Sequence, residues 1–152
     1  MIRFTIPGEV VPQGRPRFAR TKTGVRTYDP ARSREYKSFV QWSTFQLWPE
    51  KPLDGPLSVR IVQYRAIPAS WSKKRRTEAL SGIIRPTGRP DLDNVVKAIL
   101  DSLNGRMWRD DSQVVSLHAE KRYSETPRAE VEIEWVKEQL EKHGESPSQK
   151  ST

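Results

Sequence analysis

Two periods of hydrophobic placement run along the chain and set its predicted elements. Ile2, Phe4 and Ile6 alternate with Arg3 and Thr5, the two-residue period of a strand with one buried face. Pro7-Gly8 punctuates this run, and Glu9-Val10-Val11 is expected to continue the sheet after a bend. The stretch Pro12-Gln13-Gly14-Arg15-Pro16-Arg17-Phe18 is too rich in Pro and Gly for a regular element. Asp29-Pro30 then opens a helix, with Asp29 as the cap and Pro30 at the first helical position. The helical pattern runs to about Leu47 and stops before Pro49. Tyr36, Phe39, Val40, Ser43 and Leu47 follow helical spacing, with Trp42 and Phe45 nearby. This aromatic stripe reads as core or subunit contact rather than as a base-stacking platform.

Asp54-Gly55-Pro56 is a turn, after which Leu57, Val59, Ile61 and Tyr64 mark a strand. Ser70 or Ser72 caps a short, very basic helix containing Lys73-Lys74-Arg75-Arg76. Arg85 to Pro90 is irregular again. Asp91 to Asn104 is the clearest helix, with Leu92, Val95, Val96, Ile99 and Leu103 on its buried face and Asn104-Gly105 as its stop. Two strands follow, roughly Gln113 to Tyr123 and Ala129 to Val136. In the second, Val131, Ile133 and Trp135 alternate with Glu130, Glu132 and Glu134, so one face is solvated. The order of strands and helices lacks a regular βαβ alternation. It predicts an α+β fold (or α/β with a mixed sheet), a small mixed sheet packed with helices.

Composition narrows the partners. The 152 residues fit one domain, expected over residues 1–142, and the polar stretch 143–152 is expected to be a disordered tail. The apolar share is 34%, lean for a globular chain, which hints at further apolar area buried between subunits. Cysteine is absent, so disulfides and cysteine zinc sites are excluded. The first dozen residues hold no apolar run of signal-peptide length, and no window approaches a membrane span, so a soluble, cytoplasmic protein is expected. The net charge is +8, which favours an anionic partner, most commonly nucleic acid. Between Arg15 and Lys37 eight basic residues stand against two acidic ones, so much of the excess lies there.

The carboxylates carry the candidate chemistry. Asp91 is placed to cap the clearest helix, Asp93 lies in its first turn, and Lys97 and Asp101 follow on the same side at four-residue steps. A cap and a surface ion pair would account for these residues alone. A second acidic pair, Asp110-Asp111, follows a Gly-containing turn and leads into a strand. If that strand starts beside the capped end of the helix, Asp111 approaches Asp91 and Asp93. Two like charges 4 Å apart repel by about 4 kcal/mol at an effective dielectric near 20, so such a cluster needs a proton or a cation. All-oxygen ligands favour a hard ion, and Mg²⁺ uses a few carboxylates together with substrate phosphate. An ion there would also reconcile an acidic pocket with a basic, DNA-attracting surface.

The segments Asp91-Leu92-Asp93-Asn94-Val95-Val96-Lys97, then Asp101, then Trp108-Arg109-Asp110-Asp111-Ser112-Gln113-Val114 resemble the RusA-like crossover junction endodeoxyribonucleases of bacteria and prophages. Ile6-Pro7-Gly8 through Gly14-Arg15-Pro16-Arg17-Phe18 resembles the family's N-terminus, and the likeness extends from about Ile2 to Trp135. The resemblance implies a homodimeric, Mg²⁺-dependent enzyme, with Mn²⁺ able to substitute, that resolves Holliday junctions by paired symmetric nicks in DNA recombination and repair. It implies metal and catalytic roles for Asp91, Asp93 and Asp111. Lys97 would stabilise charge developing at the scissile phosphate, and Asp101 and Asp110 would be supporting or structural. The Lys73 to Arg76 run and the tail show no firm match, so no cleavage preference carries over.

Arg15, Arg17, Lys73, Lys74, Arg75, Arg76 and Arg89 are the candidate phosphate contacts, each with a solvated surface charge as the alternative. Two other functions remain open. One is a DNA-junction-binding protein that keeps the fold without catalysis. The other is a restriction-type nuclease, prompted by Pro90-Asp91, although the only Asp/Glu-x-Lys triplet, Glu35-Tyr36-Lys37, lies upstream.

Overall fold

The computed structural model describes residues 1–14, 17–28 and 30–137. Arg15, Asp29 and the stretch 143–152 lie outside these residues, and with them the expected phosphate contact, helix cap and tail. Among the described residues six strands and three helices run in the order β1 (Ile2–Pro7), β2 (Arg17–Thr21), β3 (Gly24–Tyr28), α1 (Ala31–Thr44), β4 (Leu57–Ala66), α2 (Lys73–Leu80), α3 (Leu92–Leu103), β5 (Val114–Ser124) and β6 (Arg128–Trp135). Short 3-10 turns at Phe45–Leu47 and Asp111–Gln113 follow α1 and precede β5.

Four strands form one sheet in the order β1-β6-β4-β5. β4 and β5 are parallel, and the other neighbours are antiparallel. The mixed sheet and its helices make the fold α+β. The alternation read in β1 and β6 is realised, since Ile6, Val131 and Ile133 are buried in the core. α3 contributes Val95, Val96, Ile99 and Leu103 to the same core. Its C-terminal turn is closed by Met107 and Trp108, both fully buried. α1 packs against α3 and β1.

Several expectations change. Glu9-Val10-Val11 forms no strand, because Pro12 and the turn at Gly8 carry the chain off the sheet, although Val10 is still buried. The Pro- and Gly-rich stretch does not stay irregular to Phe18. Arg17 starts β2, which pairs antiparallel with β3 as a hairpin separate from the main sheet. α1 buries Ser33, Tyr36, Val40 and Thr44. Phe39, Trp42, Phe45 and Leu47 stand outside the core, with Trp42 72% exposed. The buried stripe runs through positions 33, 36, 40 and 44, so the aromatics off that line face outward. In β6 the alternation runs out at Trp135, which is exposed beyond the end of the core. α2 is capped by Ser72, whose Oγ accepts from Arg75 N at 3.3 Å.

Candidate active site

Helix α3 carries a polar stripe along its solvent side: exposed Asp93, exposed Lys97 one turn on, and half-buried Asp101 a further turn on. Asp91 is the N-cap residue by position, with φ −65° and ψ 142°, yet its carboxylate accepts no capping hydrogen bond. Asp93 Oδ1 instead accepts from the neighbouring Asn94 N–H at 3.0 Å. The Asp91 carboxylate is therefore not committed to the helix it starts.

Asp91 lines an open cleft of about 670 Å³ together with Glu9, Gln13, Arg32, Arg65, Arg89 and Asn94. The loop before it is tied down from the sheet. Lys121 Nζ of β5 donates to the carbonyls of Gly88 and Pro90 at 2.7 and 3.0 Å. Arg65, at the end of β4, donates to the Arg89 carbonyl and pairs with Glu9 at 3.9 Å. Gln13 N donates to the Asn94 carbonyl at 3.2 Å, holding the N-terminal loop against the first turn of α3. The cleft thus combines one uncommitted carboxylate with three guanidinium groups.

Asp111 sits at the other end of α3. Its backbone N–H donates to Asn104 Oδ1 at 3.1 Å, and its Oδ1 accepts from the Trp108 indole Nε1 at 2.7 Å. Burial raises the Asp111 carboxyl above the usual carboxylate range, the Trp108 bond opposes that, and the charges of Asp101 and Asp110 raise it further. Asp101 itself lies 3.8 Å from Lys37 Nζ of α1. Asp110 has a local duty: it accepts from Ser112 N at 3.0 Å, while Gln113 Oε1 accepts from Asp110 N at 2.8 Å. Those Ser112 bonds hold Asp110 below its ordinary range.

The expected convergence of Asp91, Asp93 and Asp111 does not occur within one chain. Among the described residues no three His, Asp or Glu side chains form a group able to hold a metal ion. At about 1.5 Å per residue, Asp93 and Asp101 are about 12 Å apart along α3, and Asp111 docks beyond Asp101. β5 starts beside the C-terminal end of the helix rather than its capped end, because burial of Met107 and Trp108 anchors the connecting turn there. The donor set at the N-terminal end, two carboxylates on one helical turn facing solvent, still suits a hard ion that completes its shell with phosphate oxygens and water.

The basic candidates also divide. Arg89 lines the cleft, and Arg17 lines an adjoining cavity with Pro12, Gly14 and Arg32. Lys73 and Lys74 are exposed at the start of α2. Arg75 instead stacks 4.0 Å over the Trp71 ring, and Arg76 donates to the Pro68 carbonyl at 3.0 Å and pairs with Glu125. Sequence reasoning does not single out Arg32, Arg65 or Lys121 individually. Arg65 and Lys121 occupy ordinary strand positions, and only the tertiary fold carries them to the cleft and its loop.

The family model described as Endodeoxyribonuclease RusA matches residues 7–134. A protein of Bacillus subtilis (strain 168) named "Uncharacterized protein YqaN" is 45% identical over 137 residues, spanning 89% of this chain and 96% of that protein. The "Crossover junction endodeoxyribonuclease rusA" of Lactococcus phage r1t is 48% identical over 48 residues, covering 31% of this chain and 37% of the phage protein.

Proposed function

The chain belongs to the RusA endodeoxyribonuclease family, and from that premise we propose that it is a Mg²⁺-dependent junction endonuclease whose sites are completed across a homodimer. The observation that carries this reading is the placement of the acids along the edge strand β5. Lys121 holds the Asp91 loop at one end of β5, and Asp111 lies at the other. Among the described residues β5 is an edge of the sheet, and Val115, Ser116, Leu117 and His118 along it are exposed. Val115 and Leu117 are apolar residues 62% and 47% exposed, which is unfavourable on an open edge.

Two copies joined antiparallel through β5 cover those residues and extend the sheet across the two-fold axis. The same pairing sets Asp111 of each copy opposite the Lys121 end of the other, beside the other copy's Asp91 and Asp93. In this reading Asp91, Asp93 and the second copy's Asp111 hold the ion. The ion supplies charge neutralisation at the phosphodiester and activates a water. Lys97, one turn from Asp93, meets the charge developing on the phosphate or leaving oxygen. Arg89, Arg65 and Arg32 hold the flanking backbone in the cleft. Two such sites related by a two-fold axis nick opposed strands of a four-way junction.

Activity is tested with a synthetic four-way junction and a matched linear duplex, each with Mg²⁺ and with chelator. Paired nicks in the junction alone, and only with metal, are expected. Tight junction binding with no cut product would leave the non-catalytic alternative. Shared sites are tested by mixing two inactive variants, D93N and D111N. Mixed dimers then carry one intact site, and random pairing restores about a quarter of the wild-type sites. If each site lies within one chain, the mixture stays inactive.

A further inference from the structure

The β2–β3 hairpin is built unlike the rest of the molecule. Among the described residues its strands pair only with each other, in register Phe18↔Thr27, Ala19↔Arg26, Arg20↔Val25 and Thr21↔Gly24. Lys22 and Thr23 make the turn, closed by a 2.9 Å bond from Thr21 Oγ1 to the Gly24 carbonyl, with Gly24 at φ +142°. Phe18 and Val25 are 73% and 66% exposed. A two-stranded ribbon with Phe18 and Val25 left open to solvent is marginal by itself, so something outside the core is expected to steady it.

Its charge points to the partner. From Arg17 to Tyr28 there are four basic residues, Arg17, Arg20, Lys22 and Arg26, and no acidic one. Residues paired across the ribbon project to the same side. Arg20 therefore shares one face with Phe18 and Val25, while Arg17 and Arg26 occupy the opposite face and Lys22 the tip. Cations on both faces do not match a single flat anionic surface. They match a groove with a phosphate wall on either side. A five-residue hairpin extends about 17 Å, and the major groove, about 12 Å wide and 8.5 Å deep, admits a two-stranded ribbon. Exposed Val25 near the tip is the kind of apolar group that contacts a thymine methyl there.

The base of the hairpin adjoins the cleft, because Pro12, Gly14 and Arg32 line both the Asp91 cleft and the cavity that Arg17 lines. Gly14 N donates to Ser33 Oγ at 2.9 Å, which fixes the hairpin's root to α1. A Cβ at Gly14 would come within 2.9 Å of the Pro30 ring, so the chain leading into the hairpin is tightly seated against the start of α1.

We infer that β2–β3 enters the major groove of the duplex arm whose backbone lies in the Asp91 cleft, with Arg20, Lys22 and Arg26 contacting phosphates on the two groove walls. This rests on the nuclease reading for the identity of the DNA, but its test does not need cutting. The R20Q/K22Q/R26Q variant keeps the ribbon's shape and lies outside the core, so its thermal midpoint should match wild type. Binding to junction and linear duplex is measured with chelator from about 50 to about 200 mM salt. The slope of log K against log salt should flatten by about 0.9 for each phosphate that the variant no longer neutralises, with binding about 10²-fold weaker near 0.1 M. Wild type should also protect guanine N7, a major-groove atom, from methylation in the bound arm, and the variant should not.

An unchanged slope and unchanged N7 protection overturn the inference. A variant that dissociates into monomers while its salt slope stays that of wild type overturns it too, and makes the hairpin an arm for a second copy. A wild-type protein that binds DNA but never cuts junctions defeats the nuclease reading instead, and leaves the slope comparison valid.

Discussion

At its N-terminal end, α3 presents Asp91 and Asp93 to solvent; Asp91 lines an arginine-lined cleft, and its carboxylate has no helix-capping bond. At its C-terminal end, Asp111 is half-buried and fixed by the Trp108 indole. One end leaves carboxylates available for an incoming charge. The other holds a single carboxylate in one orientation and accepts a desolvation cost for doing so. A positioned acid at one end of an edge strand and an available pair at the other is an arrangement that a second copy can complete.

The largest effect expected from breaking this contrast is at the exposed end. D93N or D91N should lower junction cutting by about 10²–10³-fold, while junction binding holds or improves because negative charge near DNA is removed. A D93N enzyme that cuts at the wild-type rate would remove the pair from the metal site.

Next comes the integrity of the helix that separates the two ends. Ile99 is fully buried between them, and I99A should cost about 2–5 kcal/mol of stability, read by denaturant unfolding. A loss within experimental scatter would mean that the core between the two ends is not packed as described.

The buried end should reveal itself through pH. In the metal-free protein Asp111 is raised by burial and by its acidic neighbours, against the Trp108 hydrogen bond, so with chelator present its protonation should show in the pH dependence of stability. D101N removes one of those neighbours and should move that window to lower pH, whereas W108F removes the opposing hydrogen bond and should move it up. A window indifferent to both would mean that Asp111 is not held as described. The sign for stability is the reverse of a salt-bridged acid. A folded carboxyl with a raised pKa binds its proton more tightly than the unfolded chain does, so stability falls as pH rises through that window. D111N, still able to accept from Trp108, should therefore raise the neutral-pH melting temperature slightly, by at most about 2 °C.

The smallest effect lies away from both ends. Burial alone would raise Glu120, but hydrogen bonds from Arg60, Arg85 and Arg122 outweigh it and pull the carboxyl from its usual 4.5 to about 2. The stability this contributes is present above 4.5 and lost as pH falls towards 2. E120Q should flatten acid unfolding in that window and leave junction cutting unchanged. Equal pH dependence in variant and wild type would show that the arginine cluster contributes nothing measurable.

Elements with a strong hydrophobic period are legible in the amino-acid order alone. α3 is one, because Val95, Val96, Ile99 and Leu103 recur at helical spacing between Asp91 and a stop at Asn104-Gly105. β1, β4 and β6 declare themselves by alternation, and the acidic motif with its Lys97 step is visible as spacing. The hairpin is not, since no apolar alternation marks its strands in the sequence. Where the acids lie relative to one another is settled by packing. Spacing along a chain limits separation in space but not direction, and burial of Met107 and Trp108 sends the chain to the far end of α3. The same fold, through Arg65 and Lys121, fixes the loop that opens the cleft, which no local pattern in either strand encodes.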